Sequence, residues 1–385
     1  MGRTVRRLLH GLRELWVALG ITLLLLAVGE GSARLALRLR ARPWSDPRLH
    51  ADSYPAEPWV AELYEETNRS SRLRWESYAY WRRLPFAGQH INIDERGLRR
   101  TWRPANPDGA QRPRVFFFGA SVVWGTGVRD DHTIPSELAR YLAAAGFPAE
   151  VVNYGETGYV STQAVVTLLR ELQRGAVPDV VVYYGGENDA ASSYFSRAAG
   201  VPLSEQRRIR EFNILRHARR LVPAALRVIA ARSAMVQLLG VQISEPFPAI
   251  APELATPQLV DLTLRALDVN LAAMDGLARS YGFRTSYFWE PCLLQKPNRT
   301  RYEEDRTARL AFSRAWLPAL YARVQRDWAT RDPDEFTYLG ELFANTTEPR
   351  FIDHFHTSEL ANQEIAAVIG RQLIERGRLM APSNR

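Results

Sequence analysis

Hydrophobic positions in this chain fall into short apolar blocks that alternate with stretches of helical spacing. From Arg114 the order is regular. Val115–Phe118 is an apolar run, and Ile134–Ala145 has helical spacing and stops at Gly146. Val151–Tyr154 reads as the next strand and Thr162–Gln173 as the next helix, ended by Gly175. Asp179–Tyr184 is a third strand, Thr285–Trp289 a fourth and Glu335–Leu339 a fifth. Helices are predicted at Leu264–Tyr281, Thr307–Trp328 and Ser358–Gly377. Near-continuous apolar strands separated by helices predict an α/β fold with a parallel sheet covered on both faces. Ligands of such sheets bind beyond the carboxyl ends of the strands. Ser121 and Asn188 fall at that end, and no internal repeat interrupts the pattern.

Two regions depart from this alternation. Residues from about 41 to 110 are rich in Trp, Tyr, Pro and Arg and read as a juxtamembrane extension that packs on the main domain. Within it His90-Ile91-Asn92-Ile93 alternates like an edge strand, with Glu95-Arg96-Gly97 as the turn that follows. Between the third and fourth strands lies an insert of about residues 200–257. It contains a basic helix with Arg207, Arg208, Arg210, Arg216, Arg219 and Arg220 that ends near Pro223. A lid, a substrate groove, a patch against lipid headgroups and a solvated helix face all fit that pattern.

At the N-terminus, Arg3, Arg6, Arg7 and Arg13 precede an apolar run from Leu15 to Val28. That run is shorter than the ~20 residues that span a bilayer. Extended through Leu37 it is long enough, with Glu30 and Arg34 near one membrane face. An uncleaved signal anchor over residues 1–40 with the globular part outside the cytoplasm is the favoured reading. A signal peptide cut near Ala27-Val28-Gly29 and a plain amphipathic helix are the alternatives. Arg34, Arg38, Arg40 and Arg42 balance the leading arginines, so charge leaves orientation open.

With 385 residues, 46% of them hydrophobic and 24% charged, the chain can bury a large core. The net charge of +8 points to no nucleic acid, because Lys296 is the only lysine and arginine is spread over all segments without a recognition motif. Cys292 stands alone, which excludes an intramolecular disulfide.

Three segments carry the candidate chemistry: Gly119-Ala120-Ser121, Gly186-Glu187-Asn188-Asp189 and Asp353-His354-Phe355-His356. A serine at a strand end can present its hydroxyl to the open end of the sheet. An Asn side chain can donate to a developing oxyanion, and a carboxylate three residues before a histidine can orient its ring. Each segment alone also reads as an ordinary turn. Position 123 is Val, so Ser121 is not in a G-x-S-x-G elbow. His354 competes with His356, and a His-x-His metal pair lacks further ligands. Asn153-Tyr154-Gly155-Glu156-Thr157-Gly158 follows the second strand and supplies a glycine amide that can approach a ligand closely.

In this order the segments resemble the four blocks of the SGNH/GDSL hydrolase superfamily, over about residues 111 to 380. The stretches Asn92 to Arg99 and Gly119 to Gly127 look like membrane-anchored bacterial members. The resemblance implies a three-layer α/β/α sandwich with a flavodoxin-like sheet over residues 111–385. It also implies Ser121 as nucleophile, His356 as general base and Asp353 as its orienting carboxylate. The oxyanion hole would be the Ser121 amide, the Gly158 amide and the Asn188 side chain, with no cofactor and no metal. Ala120 stands where the family often has Asp. Glu187 occupies the variable position of the third block, where it would add negative charge near the oxyanion hole. The expected protein is a serine esterase acting on an acylated cell-envelope glycan or lipid. An acyltransferase using the same site is one alternative. A non-catalytic polysaccharide-binding protein is the other, and a Ser121–His356 separation beyond hydrogen-bonding reach would mark it.

Overall fold

Val115, Phe116, Phe117 and Phe118 are all buried, which requires a strand covered on both faces. The computed structural model describes residues 2–40, 46–55, 57–106, 109, 111–203, 205–216, 218–241, 256–307, 312–328, 331–332 and 336–379. Its strands are β1 (Leu73–Glu76), β2 (Tyr80–Arg83), β3 (Phe86–Ala87), β4 (Asn92–Ile93), β5 (Arg114–Gly119), β6 (Glu150–Asn153), β7 (Val180–Gly185), β8 (Arg284–Trp289) and β9 (Thr337–Tyr338). The helices up to the insert are α1 (Gly2–Arg40), α2 (Trp59–Arg69), α3 (Ser121–Trp124), α4 (Ile134–Ala144), α5 (Ser161–Gln173) and α6 (Glu187–Ser196). Then come α7 (Glu205–Arg216), α8 (Ala218–Arg232), α9 (Ala234–Leu238), α10 (Thr256–Tyr281), α11 (Arg301–Thr307), α12 (Phe312–Asp327) and α13 (Glu359–Glu375).

The chain divides into two units, one of Met1–Ser45 with Gln206–Ile250 and one of Asp46–Glu205 with Ala251–Arg385. In the second unit β6, β5, β7, β8 and β9 form one sheet in that order, every pair parallel. Side chains alternate between its faces. Phe116, Phe118, Val181, Tyr183, Tyr287 and Trp289 pack with Leu168, Leu267 and Leu320 from α5, α10 and α12. Val115, Phe117, Val180, Val182, Tyr184 and Phe288 pack with Leu138 and Ile369 from α4 and α13. This is the expected α/β/α sandwich.

The extension before the sheet is ordered by polar contacts to the same unit. Strands β1 and β2 pair antiparallel, and Trp81 Nε1 donates to the Thr157 carbonyl at 2.9 Å. The expected edge strand appears as β4 paired with β3, and its turn closes through the Gly97 amide donating to the Asp94 carbonyl.

Several boundaries differ from expectation. The fifth strand is only Thr337–Tyr338, and residue 335 lies outside the described residues. The helix expected over Thr307–Trp328 is two helices, α11 and α12, with residues 308–311 outside the description. Pro223 does not end the basic helix but lies within α8. A proline there forfeits one backbone bond and restricts only the residue before it, and the flanking helix formers carry the helix past it. Residues 242–255 of the expected insert lie outside the described residues, and residues 206–241 belong to the unit that contains α1.

Candidate active site

Strand β5 delivers Ser121 to the carboxyl end of the sheet. A Cβ at Gly119 would lie 2.3 Å from the Tyr184 carbonyl oxygen and 2.4 Å from Val123 Cγ2, so only glycine lets the chain turn here against β7. Ser121 then opens α3, whose Val122, Val123 and Trp124 are buried and fix its direction. An amide in the first turn of a helix has no intrahelical acceptor, so the Ser121 N–H is available to a ligand.

The last block folds as a tight loop between Phe351 and Thr357, which form an antiparallel bridge. The Ile352 amide donates to the His356 carbonyl at 2.9 Å, and the Ser358 hydroxyl caps α13 by accepting from Ala361. Asp353 Oδ1 accepts the amides of Phe355 (3.1 Å) and His356 (2.9 Å). Its Oδ2 lies 2.7 Å from His356 Nδ1, and His356 Nε2 lies 2.8 Å from Ser121 Oγ. Burial alone would raise the Asp353 carboxyl. The His356 ring and those two amides outweigh it and hold the group well below the ordinary carboxylate range. An ionised carboxylate only accepts, so Nδ1 carries the proton and Nε2 presents its lone pair to the serine hydroxyl. His354 is not in this relay. Its Nε2 is buried without a protein partner and burial lowers its pKa, and among the described residues no cluster of three His, Cys, Asp or Glu could hold a metal.

The two other blocks are stitched to α3 and to each other. Asn153 Nδ2 donates to the Val123 carbonyl at 2.9 Å, and its Oδ1 accepts the Gly155 amide. A Cβ on Gly155 would lie 2.4 Å from the Trp124 amide nitrogen, so the loop that leads to Gly158 runs directly along α3. Asn188 is the second residue of α6, and its Nδ2 is buried with no hydrogen-bond acceptor among the described residues. A buried amide donor without a partner is costly unless a ligand satisfies it. Asp189 ties the two blocks together. Its carboxylate accepts the Ser161 amide at 3.1 Å, the Ser161 hydroxyl at 2.5 Å and the Tyr183 hydroxyl at 3.1 Å.

Three features were not found from the sequence. Glu290, directly after β8, is buried, and its Oε1 accepts the Glu187 amide at 2.9 Å. Burial raises its carboxyl to about 7 against the opposing pull of that amide and of His356. Glu187 is also buried, and burial together with Glu290 pushes its carboxyl well above the ordinary range. The third feature is a fully buried ion pair, in which Lys296 Nζ donates to Glu303 Oε2 at 2.5 Å. Glu303 Oε1 in turn accepts the Arg350 and Phe351 amides just before Asp353. A charged residue closing a buried strand is the one sequence signal that could have marked Glu290. A cavity of about 850 Å³ lies along the β6 edge, lined by Asn92, Arg100, Arg114, Glu150 and Asn153, and takes in none of Ser121, Asn188, Asp353 and His356.

A three-layer α/β/α unit in which a serine, an imidazole and a carboxylate form one hydrogen-bonded relay at the strand ends has the make-up of an acyl hydrolase. The chain belongs to the GDSL-like Lipase/Acylhydrolase family, whose profile matches residues 115–369, and is an ester-hydrolysing enzyme of that class. No curated protein matches the sequence. Among solved structures, TesA is similar at 16% identity over 68% of this chain and 98% of that one, with a TM-score of 0.35. A catalytic mutant of Axe2, an acetylxylan esterase from Geobacillus stearothermophilus, is similar at 13% identity over 69% and 95%, with a TM-score of 0.37. The catalytic domain of Streptococcus pneumoniae peptidoglycan O-acetyltransferase A is similar at 12% identity over 71% and 98%, with a TM-score of 0.30. The family membership rests on the profile match alone.

Proposed function

We propose that this chain is a membrane-anchored serine esterase of the bacterial envelope, acting outside the cytoplasm. It would remove an acetyl or other short acyl group from a glycan or lipid. The observation that carries this reading is the relay Asp353–His356–Ser121, with contacts of 2.7 and 2.8 Å. His356 Nε2 takes the Ser121 proton as Oγ bonds to the acyl carbon, and the Ser121 and Gly158 amides and Asn188 Nδ2 receive the oxyanion. Collapse breaks the ester C–O bond, and His356 returns the proton to the leaving alkoxide. Water activated by His356 then frees the acid from Ser121. Residues 1–40 form the anchor, because α1 holds a segment long and apolar enough to cross a membrane, Leu9–Arg40. Residues 41–110 are an extension packed on the hydrolase domain of residues 111–385.

The test is hydrolysis of nitrophenyl acetate and butyrate by the full chain in detergent, beside Ser121→Ala. Turnover lost in a folded Ser121→Ala protein supports the proposal, and equal rates in both refute it. Phosphonate labelling of Ser121 without ester turnover would point to acyl transfer in place of hydrolysis. An alkaline phosphatase fused after residue 385 should be active in cells, and a silent fusion would overturn the extracytoplasmic placement.

A further inference from the structure

Helix α8 carries an apolar face that no described residue of its own unit covers. Val222, Leu226 and Ile229 recur at helical spacing and are 66%, 61% and 66% exposed, with Leu221 and Val228 beside them also exposed. Arg219 lies at the flank of this stripe and Arg227 on the far side of the helix. The whole stretch from 206 to 241 has eight arginines against one acidic residue, Glu211. A basic, amphipathic helix with an uncovered apolar face is the pattern of a helix lying in a membrane interface.

Its height relative to a bilayer is set by a contact across 203 residues of sequence. Glu30 of α1 accepts the Ser233 hydroxyl at 2.8 Å and the Ala234 and Met235 amides at 2.9 and 3.3 Å. Met235 sulfur packs on Gly29. Ser233 directly follows the last residue of α8. Glu30 lies two residues beyond the end, at Val28, of the uninterrupted apolar run, whose leucines Leu23, Leu24, Leu25 and Leu26 are exposed. The end of α8 is therefore pinned to the point where the apolar run of α1 stops, the level of the headgroups for a spanning helix.

We propose that α8 lies in the surface of an anionic phospholipid leaflet, with Val222, Leu226 and Ile229 among the acyl chains and the arginines of α7 and α8 among the headgroup phosphates. The proposal rests on the reading of α1 as a span. It makes the insert a second membrane contact, which fixes the tilt of α1 and α8 as a unit relative to the membrane normal.

The test uses the full chain in vesicles of phosphatidylglycerol and phosphatidylcholine with brominated acyl chains. Cysteine variants Val222→Cys, Ile229→Cys, Arg227→Cys and Leu24→Cys are each labelled with an environment-sensitive fluorophore. Native Cys292 is buried and its thiol is raised to about 12 by burial, so it stays unlabelled in the folded protein. The labels at 222 and 229 should shift to the blue and be quenched by the bromolipid several-fold more than the label at 227. Quenching at 24 with none at 222 and 229 would overturn the proposal and leave the span standing. No quenching at any position would overturn both. A blue shift at 222 and 229 without bromolipid quenching would place that face against a second copy of the chain, which also refutes the lipid assignment. Quenching unaffected by replacing all phosphatidylglycerol with phosphatidylcholine would overturn the anionic part.

Discussion

Replacing Asp353 by Asn tests the relay without removing any atom position. In the native loop Oδ1 accepts two backbone amides, while Oδ2 faces His356 Nδ1. An asparagine keeps its carbonyl oxygen on the two amides, because an NH₂ there would meet two donors. Its NH₂ then points at Nδ1 and donates to it. The imidazole must carry its proton on Nε2, which faces Ser121 Oγ at 2.8 Å, so the lone pair that should take the serine proton is gone. A histidine held in the wrong tautomer costs ~10⁴ in kcat, about 5.5 kcal/mol of transition-state stabilisation. The loop bonds survive, so the melting temperature should fall by only a few degrees. The assay is kcat for nitrophenyl acetate in Asp353→Asn and parent, with thermal melts of both. A folded variant that loses less than about tenfold would refute the tautomer argument, because that is less than one general base contributes.

Asn188→Ala should lower kcat by ~10²–10³ with KM little changed, the cost of one oxyanion donor. A parallel rise in KM would instead assign Asn188 to substrate binding. Glu290→Gln should flatten the pH dependence of stability. The Glu290 carboxyl is raised from 4.5 to about 7 in the folded state, so its contribution is full below 4.5 and lost as pH rises through 7, roughly 3 kcal/mol in all. Gln still accepts the Glu187 amide, so melting temperatures across that window should vary less in the variant than in the parent. Lys296→Met should cost about 3–5 kcal/mol in chemical denaturation by stranding buried Glu303. Adding Glu303→Gln should recover part of that loss, and a purely additive pair would show that the two groups do not interact.

The parallel sheet was legible because β5, β7 and β8 are apolar on both faces, a pattern a strand keeps only inside a covered sheet. Strand β9 is two half-exposed residues, Thr337 and Tyr338, too few to show a period. Helix α6 was missed because its buried positions are Glu187, Asp189, Ala190, Ser192, Ser193 and Ser196, which make no apolar stripe. The β1–β2 hairpin turns through Tyr78 and Tyr80 at positive φ, a conformation bulky residues seldom announce. The segments that bear Ser121, Asn188 and Asp353–His356 were readable because each is a short local motif at a strand end. The supports beneath them were not. Glu290, Lys296 and Glu303 are ordinary charged residues in sequence, and only tertiary burial gives them their roles. The tie between Glu30 and Ser233 is likewise one carboxylate meeting a distant helix start.

Glu187 shows how burial changes the meaning of a residue. Read along the chain, a glutamate beside Asn188 brings a negative charge to the oxyanion hole and opposes the charge that develops there. In the fold its side chain turns inward, where desolvation and Glu290 both disfavour ionisation. Its carboxyl is held well above the ordinary range, while burial raises that of Glu290 to about 7 against the opposing pull of the Glu187 amide and His356. At the proposed oxyanion hole the amide ends of α3 and α6 and Asn188 would then set the field, and each favours an anion. Burial therefore favours the acid form of Glu187, and that form does not oppose an oxyanion beside Asn188, whereas an ionised Glu187 would.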